Sequence, residues 1–207
     1  MLAFESASLF ALVALFQLTP GDTVRLSPPL APNAGAGTVS DYDIIPDGSM
    51  AVYVANQEQL PRFELFSVPL AGGESKKLNV ELEYGADISK FALSPDGDRV
   101  AYFATPAGET RTRLFVTTLD GETTFDFDPH VSFDSTLTFA SDESIVFSGD
   151  GSRLFFHAID GGVARLFWVD PRFGGPLHEL FGPAPGPEVS ISGLAVDEDG
   201  SHAVFRA

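Results

Sequence analysis

The sequence of 207 residues contains no cysteine, which excludes disulfide bonds, thiolate nucleophiles and cysteine-ligated zinc. It is also poor in positive charge, because 12 lysines and arginines stand against 29 aspartates and glutamates, for a net charge of −17. Nucleic acids require a basic face, and anionic membrane surfaces attract basic segments, so both are disfavoured as partners. We expect acidic, solvated loops and a protein partner, with a basic partner or a saline habitat as further interpretations.

A long apolar run is missing as well. Residues 9–16 resemble the apolar core of a signal peptide, but no Lys or Arg precedes them and no small-residue cleavage site follows. The run is too short to span a bilayer as a helix. Residues 13–27 align without a gap on residues 65–79, so that Phe16 falls on Val68 and Gly21 on Gly73. We therefore predict a strand here and no membrane insertion, with a signal peptide as the alternative.

Motifs of catalytic and metal sites are scarce. No Gly-x-Ser-x-Gly nucleophile elbow occurs. The segments 126–128 and 197–200 carry oxygen ligands, but neither completes an Asp-x-Asp-x-Asp-Gly calcium loop. Two carboxylates could meet on neighbouring loops, as in glycosidases, yet no spacing selects a pair. The histidines lack the His-x-x-x-His spacing of a metal pair; they are His130, His157, His178 and His202. We expect no catalytic residue, no metal and no cofactor.

The sequence does contain a recurring Asp-Gly turn, in which the aspartates lie 49, 54 and 49 residues apart. A period in this range indicates one supersecondary unit that is repeated. In the first copies proline presets the backbone before the aspartate, and glycine supplies a positive φ after it. The four copies are Pro46-Asp47-Gly48, Pro95-Asp96-Gly97, Gly149-Asp150-Gly151 and Glu198-Asp199-Gly200.

Each repeat unit reads as four strands, which we call a, b, c and d, and no segment has sustained helical periodicity. The middle strands b and c are the most apolar, as expected where both faces of a sheet are buried. Four antiparallel strands per repeat predict the blade of a β-propeller. The predicted strands are 41–45, 49–55, 63–70 and 74–78 in the first copy; 90–94, 98–103, 113–119 and 122–127 in the second; 144–148, 153–157, 165–169 and 176–181 in the third; and 191–196 and 201–206 in an incomplete last copy.

The second copy resembles the WD-like repeat of TolB-type propellers. The resemblance rests on Ser94-Pro95-Asp96-Gly97, on Val100-Ala101-Tyr102 and on Leu119-Asp120-Gly121, and it extends over essentially the whole chain. It implies a non-catalytic scaffold for protein–protein contact in the periplasm or outside the cell. Similar repeats form the gating domain of prolyl-oligopeptidase-type hydrolases. A propeller fragment of such a hydrolase, without its catalytic domain, is therefore the alternative function.

We predict a single all-β domain over residues 1–207, a β-propeller of about four antiparallel four-stranded blades. Three blades are complete, at 40–79, 89–127 and 143–181. The fourth is a composite of residues 1–27 and 190–207, which closes the ring by joining the amino-terminal and carboxy-terminal strands. The alternatives are a partial propeller and a homodimer in which two chains complete a larger ring of about eight blades.

The longer connections lie together at one end of such a propeller, because its strands run alternately up and down. These connections are residues 28–39, 56–62, 80–89, 104–112, 128–143 and 182–190. Loops on a rigid scaffold commonly carry binding sites, so we predict a partner-binding face there. The candidate acids on this long-loop face are Glu58, Glu81, Glu83, Glu109, Asp128, Asp134 and Asp142.

Overall fold

The computed structural model describes residues 14–16, 23–25, 37–58, 61–127, 145–160, 163–181 and 192–206. Within these ranges every regular element is a β-strand, and the strands form three four-stranded and two two-stranded antiparallel sheets. Each four-stranded sheet is a meander whose strands follow one another in chain order. The predicted all-β class with four-stranded antiparallel blades is therefore confirmed.

Each complete blade contains the strands a to d in that order. Blade 1 is β3 (Val39–Ile44), β4 (Met50–Ala55), β5 (Glu64–Pro69) and β6 (Lys76–Lys77). Blade 2 is β7 (Phe91–Leu93), β8 (Arg99–Ala104), β9 (Arg113–Thr118) and β10 (Thr124–Phe127). Blade 3 is β11 (Ile145–Phe147), β12 (Leu154–Asp160), β13 (Val163–Val169) and β14 (His178–Phe181).

Two further strand pairs flank these blades. The amino-terminal pair is β1 (Ala14–Phe16) with β2 (Thr23–Arg25), which agrees with the strand predicted for the apolar run. The carboxy-terminal pair is β15 (Ser192–Val196) with β16 (Ala203–Arg206), the a and b strands of the last repeat. The two pairs are separate sheets in the structure. The composite fourth blade, which would join them, stays a prediction.

Strand d of blade 1 is shorter than the predicted 74–78. Only Lys76 and Lys77 pair with β5, opposite Ser67 and Phe66. One residue further along β5, the N–H of Leu65 donates to the side-chain oxygen of Asn79 at 2.7 Å instead of to a backbone carbonyl. The N–H of Leu78 still donates to the carbonyl of Leu65 at 2.8 Å, so the Asn79 side chain replaces only the return bond of this step, and the outer strand ends here.

Strands b and c form the core because both of their faces are buried. In each complete blade the same cross-strand pair is aromatic, with the ring on b stacked on the ring on c. The pairs are Tyr53–Phe66 and Tyr102–Phe115, both at 5.6 Å between centroids, and Phe156–Phe167 at 5.7 Å. Cross-strand aromatic pairs contribute roughly 0.5–1.5 kcal/mol beyond the burial of their area. Four of the 19 phenylalanines in the sequence stand in these pairs.

Neighbouring blades pack face to face through these strands. Between blades 2 and 3, Phe103 and Leu114 pack in one cluster with Phe156 and Phe167. A second cluster of the same kind lies between blades 1 and 2. The a strands lie innermost, since β11 contacts both β7 and β15. Inter-blade burial, rather than any single sheet, is what holds the arc together.

The Asp-Gly turns join strands a and b, as predicted, and lie side by side at the short-turn end of the blades. Each turn aspartate accepts the backbone N–H two residues ahead: Asp47 from Ser49, Asp96 from Asp98, Asp150 from Ser152 and Asp199 from Ser201, at 2.8–3.1 Å. These hydrogen bonds favour the charged form and lower the pKa of Asp47 and Asp150. Each turn carboxylate thus accepts a hydrogen bond from the backbone of its own turn.

The third and fourth turns are joined more closely than the others. The N–H of Gly149 donates to the carbonyl of Asp197 at 3.4 Å, and the N–H of Asp150 donates to the carbonyl of Glu198 at 2.7 Å. The Glu198 side chain lies against Gly149, in the space that a Cβ atom would need. Glycine at 149, where the first two repeats have proline, leaves this space to the Glu198 side chain.

Candidate functional site

The long-loop face is built from the connections b to c and d to a, which the antiparallel topology places opposite the Asp-Gly turns. The structure describes this face between blades 1 and 2, over residues 61–63, 80–90 and 105–112. Two of these loops pair directly through a β-bridge between Leu82 and Pro106. The N–H of Glu83 donates to the carbonyl of Thr105, and the N–H of Ala107 donates to that of Glu81, each at 2.9 Å. The loops are therefore fixed to each other by backbone bonds.

Tyr84 occupies the tip of this bridged structure. The N–H of Ala86 donates to the carbonyl of Glu83 at 3.0 Å, which closes a tight turn, and Gly85 supplies its positive φ of 80°. The neighbouring Leu82 is buried beneath the turn. The Tyr84 ring, in contrast, is 92% exposed. An aromatic ring is thus presented to solvent on a turn whose backbone is held on both sides.

The described candidate acids fall into two groups. Glu81, Glu83 and Glu109 lie around the bridged loops, where Glu81 pairs with Arg62 at 3.4 Å and Glu109 pairs with Arg113. Glu58 lies apart at the outer strand of blade 1, where it binds Lys77 at 2.9 Å. The other three candidate acids, Asp128, Asp134 and Asp142, lie outside the described residues.

Glu83 has a structural part in this surface. Its carboxylate accepts the N–H of Gly108 on the opposite loop. The N–H of Tyr84, and next the N–H of Gly108, lower the pKa of Glu83, because both hydrogen bonds favour the ionised form. Glu83 is therefore a clamp between the two loops, whereas Glu81, whose side chain is 69% exposed, keeps acceptor capacity for a partner.

Tyr84 is the residue of this surface that sequence reasoning missed. A search for charged and metal-ligating residues passes over a lone tyrosine, although an aromatic ring between Glu83 and Gly85 in a polar loop was visible as a signal. Its exposure could not be inferred, because the loop positions carry no strand alternation from which a buried or exposed face follows.

The long loop that carries Tyr84 is anchored by a buried phenol. The Tyr102 hydroxyl accepts the N–H of Val80 at 3.1 Å and donates to the carbonyl of Leu78 at 3.3 Å, just before the loop begins. Burial raises the pKa of Tyr102 to about 12, so the hydroxyl keeps its proton at neutral pH.

We expect Tyr102→Phe to lower the free energy of unfolding by about 1–2 kcal/mol, because the N–H of Val80 loses its acceptor and the buried carbonyl of Leu78 loses its donor. Chemical denaturation would measure this change. Tyr53→Phe is the matched control at the same repeat position, where the hydroxyl donates to the partly buried side chain of Gln57. Tyr53→Phe should lower the free energy of unfolding by less, since water can replace that contact. An equal loss of stability in both variants would contradict the role of the Tyr102 hydroxyl as an anchor of the loop.

One grouping of serine, histidine and aspartate occurs near the last turn. His202 Nδ1 lies 2.7 Å from Asp197 Oδ2 and 2.8 Å from the hydroxyl of Ser201. A hydrolytic triad requires the serine at Nε2, opposite the nitrogen that binds the aspartate, so this geometry does not activate Ser201. The N–H of His202 also donates to Asp197 and lowers the pKa of that carboxyl. Asp197 therefore stabilises the turn between β15 and β16.

Metal sites and membrane-spanning helices are two further features that bear on function. No group of three or more histidine, aspartate and glutamate side chains is arranged to hold a metal ion in the described part of the chain. Over the same residues, the structure contains no helix with the length and apolarity needed to cross a membrane.

The meandering four-stranded sheets, packed face to face with their a strands innermost, define the class of β-propeller proteins. No family model and no curated protein matches the sequence. Among solved structures, the chain is similar to a protein assigned as TolB from Agrobacterium tumefaciens, with a TM-score of 0.52 and 16% identity over 80% of this chain and 63% of that one.

Two enzymes show a comparable likeness. One is a puromycin-hydrolyzing peptidase from Mycobacterium tuberculosis, with a TM-score of 0.51 and 14% identity over 83% of this chain and 24% of that one. The other is an oligogalacturonate lyase in complex with manganese, with a TM-score of 0.50 and 13% identity over 76% and 41%. The chain spans less than two thirds of the length of each protein. At these identities the likeness shows the fold alone, that of a β-propeller.

Proposed function

We propose that this chain is a non-catalytic propeller scaffold that binds a protein partner through the long-loop face, with Tyr84 at the centre of the contact. The single observation that carries this proposal is the exposure of the Tyr84 ring on a turn fixed by backbone hydrogen bonds. Tyrosine is enriched among the residues that dominate binding energy in protein interfaces, because its ring buries a large area and its hydroxyl remains able to bond.

The fixed loop supports this role energetically. Association costs the ordering of loops and side chains, and a loop that is already ordered avoids part of that cost. Here the bridge between Leu82 and Pro106 and the carboxylate of Glu83 hold the turn before any partner arrives. Tyr84 therefore contributes its area without a large loss of backbone entropy.

The charge around Tyr84 indicates the kind of partner. Glu81 and Glu109 lie near the turn and pair with Arg62 and Arg113, so the surface is a mixture of charges with exposed carboxylates. Complementary rim charges raise association rates and select partners. A protein surface with an apolar recess and basic groups around it fits this face, and the net charge of −17 favours the same choice.

The location we propose is the periplasm or the outside of the cell. The support for this location is the likeness of the fold to that of a TolB protein. Fractionation of the native cells, with detection of the chain in each fraction, tests the location independently of the binding surface.

Site-specific photocrosslinking tests the binding face. A photoreactive phenylalanine analogue at position 84, expressed in the native cells, should give a covalent adduct with one protein. The same analogue at position 173 is the matched control, because Phe173 is also exposed, at 74%, and lies outside the long-loop face in the connection from β13 to β14. Tyr84→Ala should weaken capture of the crosslinked protein at least tenfold, and Phe173→Ala should leave capture unchanged. Equal adducts from both positions would contradict the proposal.

The likeness to the puromycin-hydrolyzing peptidase favours a second candidate function. This chain covers only 24% of the length of that enzyme. The chain would then be the propeller portion of a prolyl-oligopeptidase-type hydrolase. Sequencing the messenger RNA beyond codon 207 distinguishes the two functions. A continuing frame with a Gly-x-Ser-x-Gly motif supports the hydrolase, and a stop codon after Ala207 supports the scaffold.

A further inference from the structure

Every complete blade has two faces that recur at fixed repeat positions. We call the face toward the following blade the forward face and the face toward the preceding blade the backward face. On strand b the forward position is Val52, Ala101 and Phe155 in blades 1 to 3, and all three side chains are buried against the next blade. The same position in the last repeat is Val204 on β16, which is 70% exposed. The forward face of β15–β16 thus has no cover in the structure.

The backward face of blade 1 is exposed in the complementary place. On strand a the backward position is Ile145 in blade 3 and Leu194 in the last repeat, and both are buried against the b strand before them. In blade 1 this position is Tyr42 on β3, which is 63% exposed. Ile44, the next residue on the same face, is 42% exposed, whereas its counterpart Phe147 is buried. Blade 1 therefore lacks the a–b strand pair that would cover its inner part.

The two uncovered surfaces are the two sides of one inter-blade interface. In this fold a forward position on strand b packs near the backward positions on strand a of the next blade, as Phe155 and Leu194 do in one cluster. Val204 and Tyr42 are both exposed in the same chain, so the chain does not cover one surface with the other. The geometry is that of an open arc with matching ends.

The strand pairs at these surfaces are complementary as well. β15–β16 consists of the a and b strands of a blade, and β1–β2 aligns with the c and d strands. In every complete blade strand b pairs with strand c in an antiparallel ladder. Within the described residues β16 has no such partner on its outer edge. An unpaired strand edge is a template for pairing with another chain.

We propose that two copies of this chain associate head to tail, the forward face of β15–β16 in each copy packing on the backward face of β3 in the other. The β16 strand of one copy then lies beside β1 of its partner, and together they complete a four-stranded blade. The closed product is a two-fold symmetric ring of about eight blades, which lies within the range of known propellers.

The chemistry of the two surfaces favours this occupant. Tyr42, Ile44 and Val204 are apolar, and their burial is favourable by roughly 25 cal/mol per Å². The a and b strands at one end and the c and d strands at the other are the two halves of one blade, so a second copy also supplies the missing backbone partners. Two copies satisfy both surfaces at once, and neither surface is left to recruit a third copy.

Sedimentation equilibrium and native mass spectrometry of the 207-residue chain test this assembly. We expect a dimer, and we expect Val204→Glu and Tyr42→Glu each to convert it into a monomer by placing a charge in the apolar contact. Phe173→Glu is the matched control, an exposed ring in the β13–β14 connection away from both surfaces, and it should remain dimeric. Circular dichroism confirms that each variant is folded, which is expected because both side chains are exposed in the single chain.

Mixing the two variants provides a sharper test. The Val204→Glu chain keeps an intact backward face, and the Tyr42→Glu chain keeps an intact forward face, so the mixture should form a heterodimer through one interface. A monomeric wild-type chain, a dimer that survives both substitutions, or an open series of higher oligomers would each overturn the proposal. These outcomes are independent of the long-loop face, because none of the substituted residues belongs to it.

Discussion

Phe156→Ala is expected to lower the free energy of unfolding by about 3–5 kcal/mol, the range for removing a large aromatic side chain from a close-packed core. Phe156 is fully buried on β12. Its ring stacks on Phe167 of the same blade at 5.7 Å and meets the edge of Phe103 in blade 2 at 6.2 Å. The substitution therefore weakens strand pairing and inter-blade packing at once, and the cavity it leaves is enclosed by both blades.

Urea denaturation followed by tryptophan fluorescence measures this loss, since Trp168 lies on the adjacent strand β13. Phe205→Ala is the matched control at the same repeat position of β16, where the ring is only partly buried. Phe205→Ala should lower the free energy of unfolding distinctly less, because a partly exposed side chain contributes less transfer free energy. A loss below about 1.5 kcal/mol for Phe156→Ala would contradict the inter-blade core as the main source of stability.

Gly149→Pro is expected to destabilise the protein by about 1 kcal/mol, although the first two repeats have proline at this position. From the repeat alone one expects the opposite, because a proline that suits the local backbone stabilises by about 0.4–1 kcal/mol. In the structure, proline removes the N–H that Gly149 donates to Asp197. Its Cβ would also take the place of the Glu198 carboxylate, whose Cδ lies 2.6 Å from that position, so this side chain has to turn away.

Two companion variants separate the causes of that loss. Gly149→Ala keeps the N–H and introduces only the collision, so it should cost less than proline. Adding Glu198→Ala to Gly149→Pro removes the collision and should restore part of the stability, while the loss of the hydrogen bond remains. Thermal unfolding of the four proteins measures the series; a Gly149→Pro protein at least as stable as the wild type would refute this account of the turn.

The repeat predicted most of the fold because the blade is built from local rules. Asp-Gly turns have a fixed backbone geometry, and the apolar b and c strands follow from burial on both faces, so the strands of blades 2 and 3 lie close to their predicted bounds. The early end of strand d in blade 1 was not predictable. It depends on the side chain of Asn79, which takes the N–H of Leu65, and a sequence pattern carries no information about that competition.

The candidate surface was predicted less well than the fold. The choice of loops was made from topology, and the structure brings three of the chosen acids together at one place. The pairing of Glu81 with Arg62, 19 residues away, and the clamp between Glu83 and Gly108, 25 residues apart, depend on contacts between different loops. Tyr84 was missed because the search followed charge, whereas the feature that distinguishes this residue is exposure.

The sequence by itself determined the repeating unit, the turns that divide it and the strands that form its core, because each depends on residues close together in the chain. The tertiary structure decided which surfaces remain exposed to solvent. Only the packing of blades shows that Gly149 makes room for Glu198 and that Tyr84 is presented to solvent. The same packing leaves Val204 and Tyr42 exposed at positions that the other blades bury fully or in part. Burial is a property of what lies across an interface, and the neighbour across an interface is set by the whole fold.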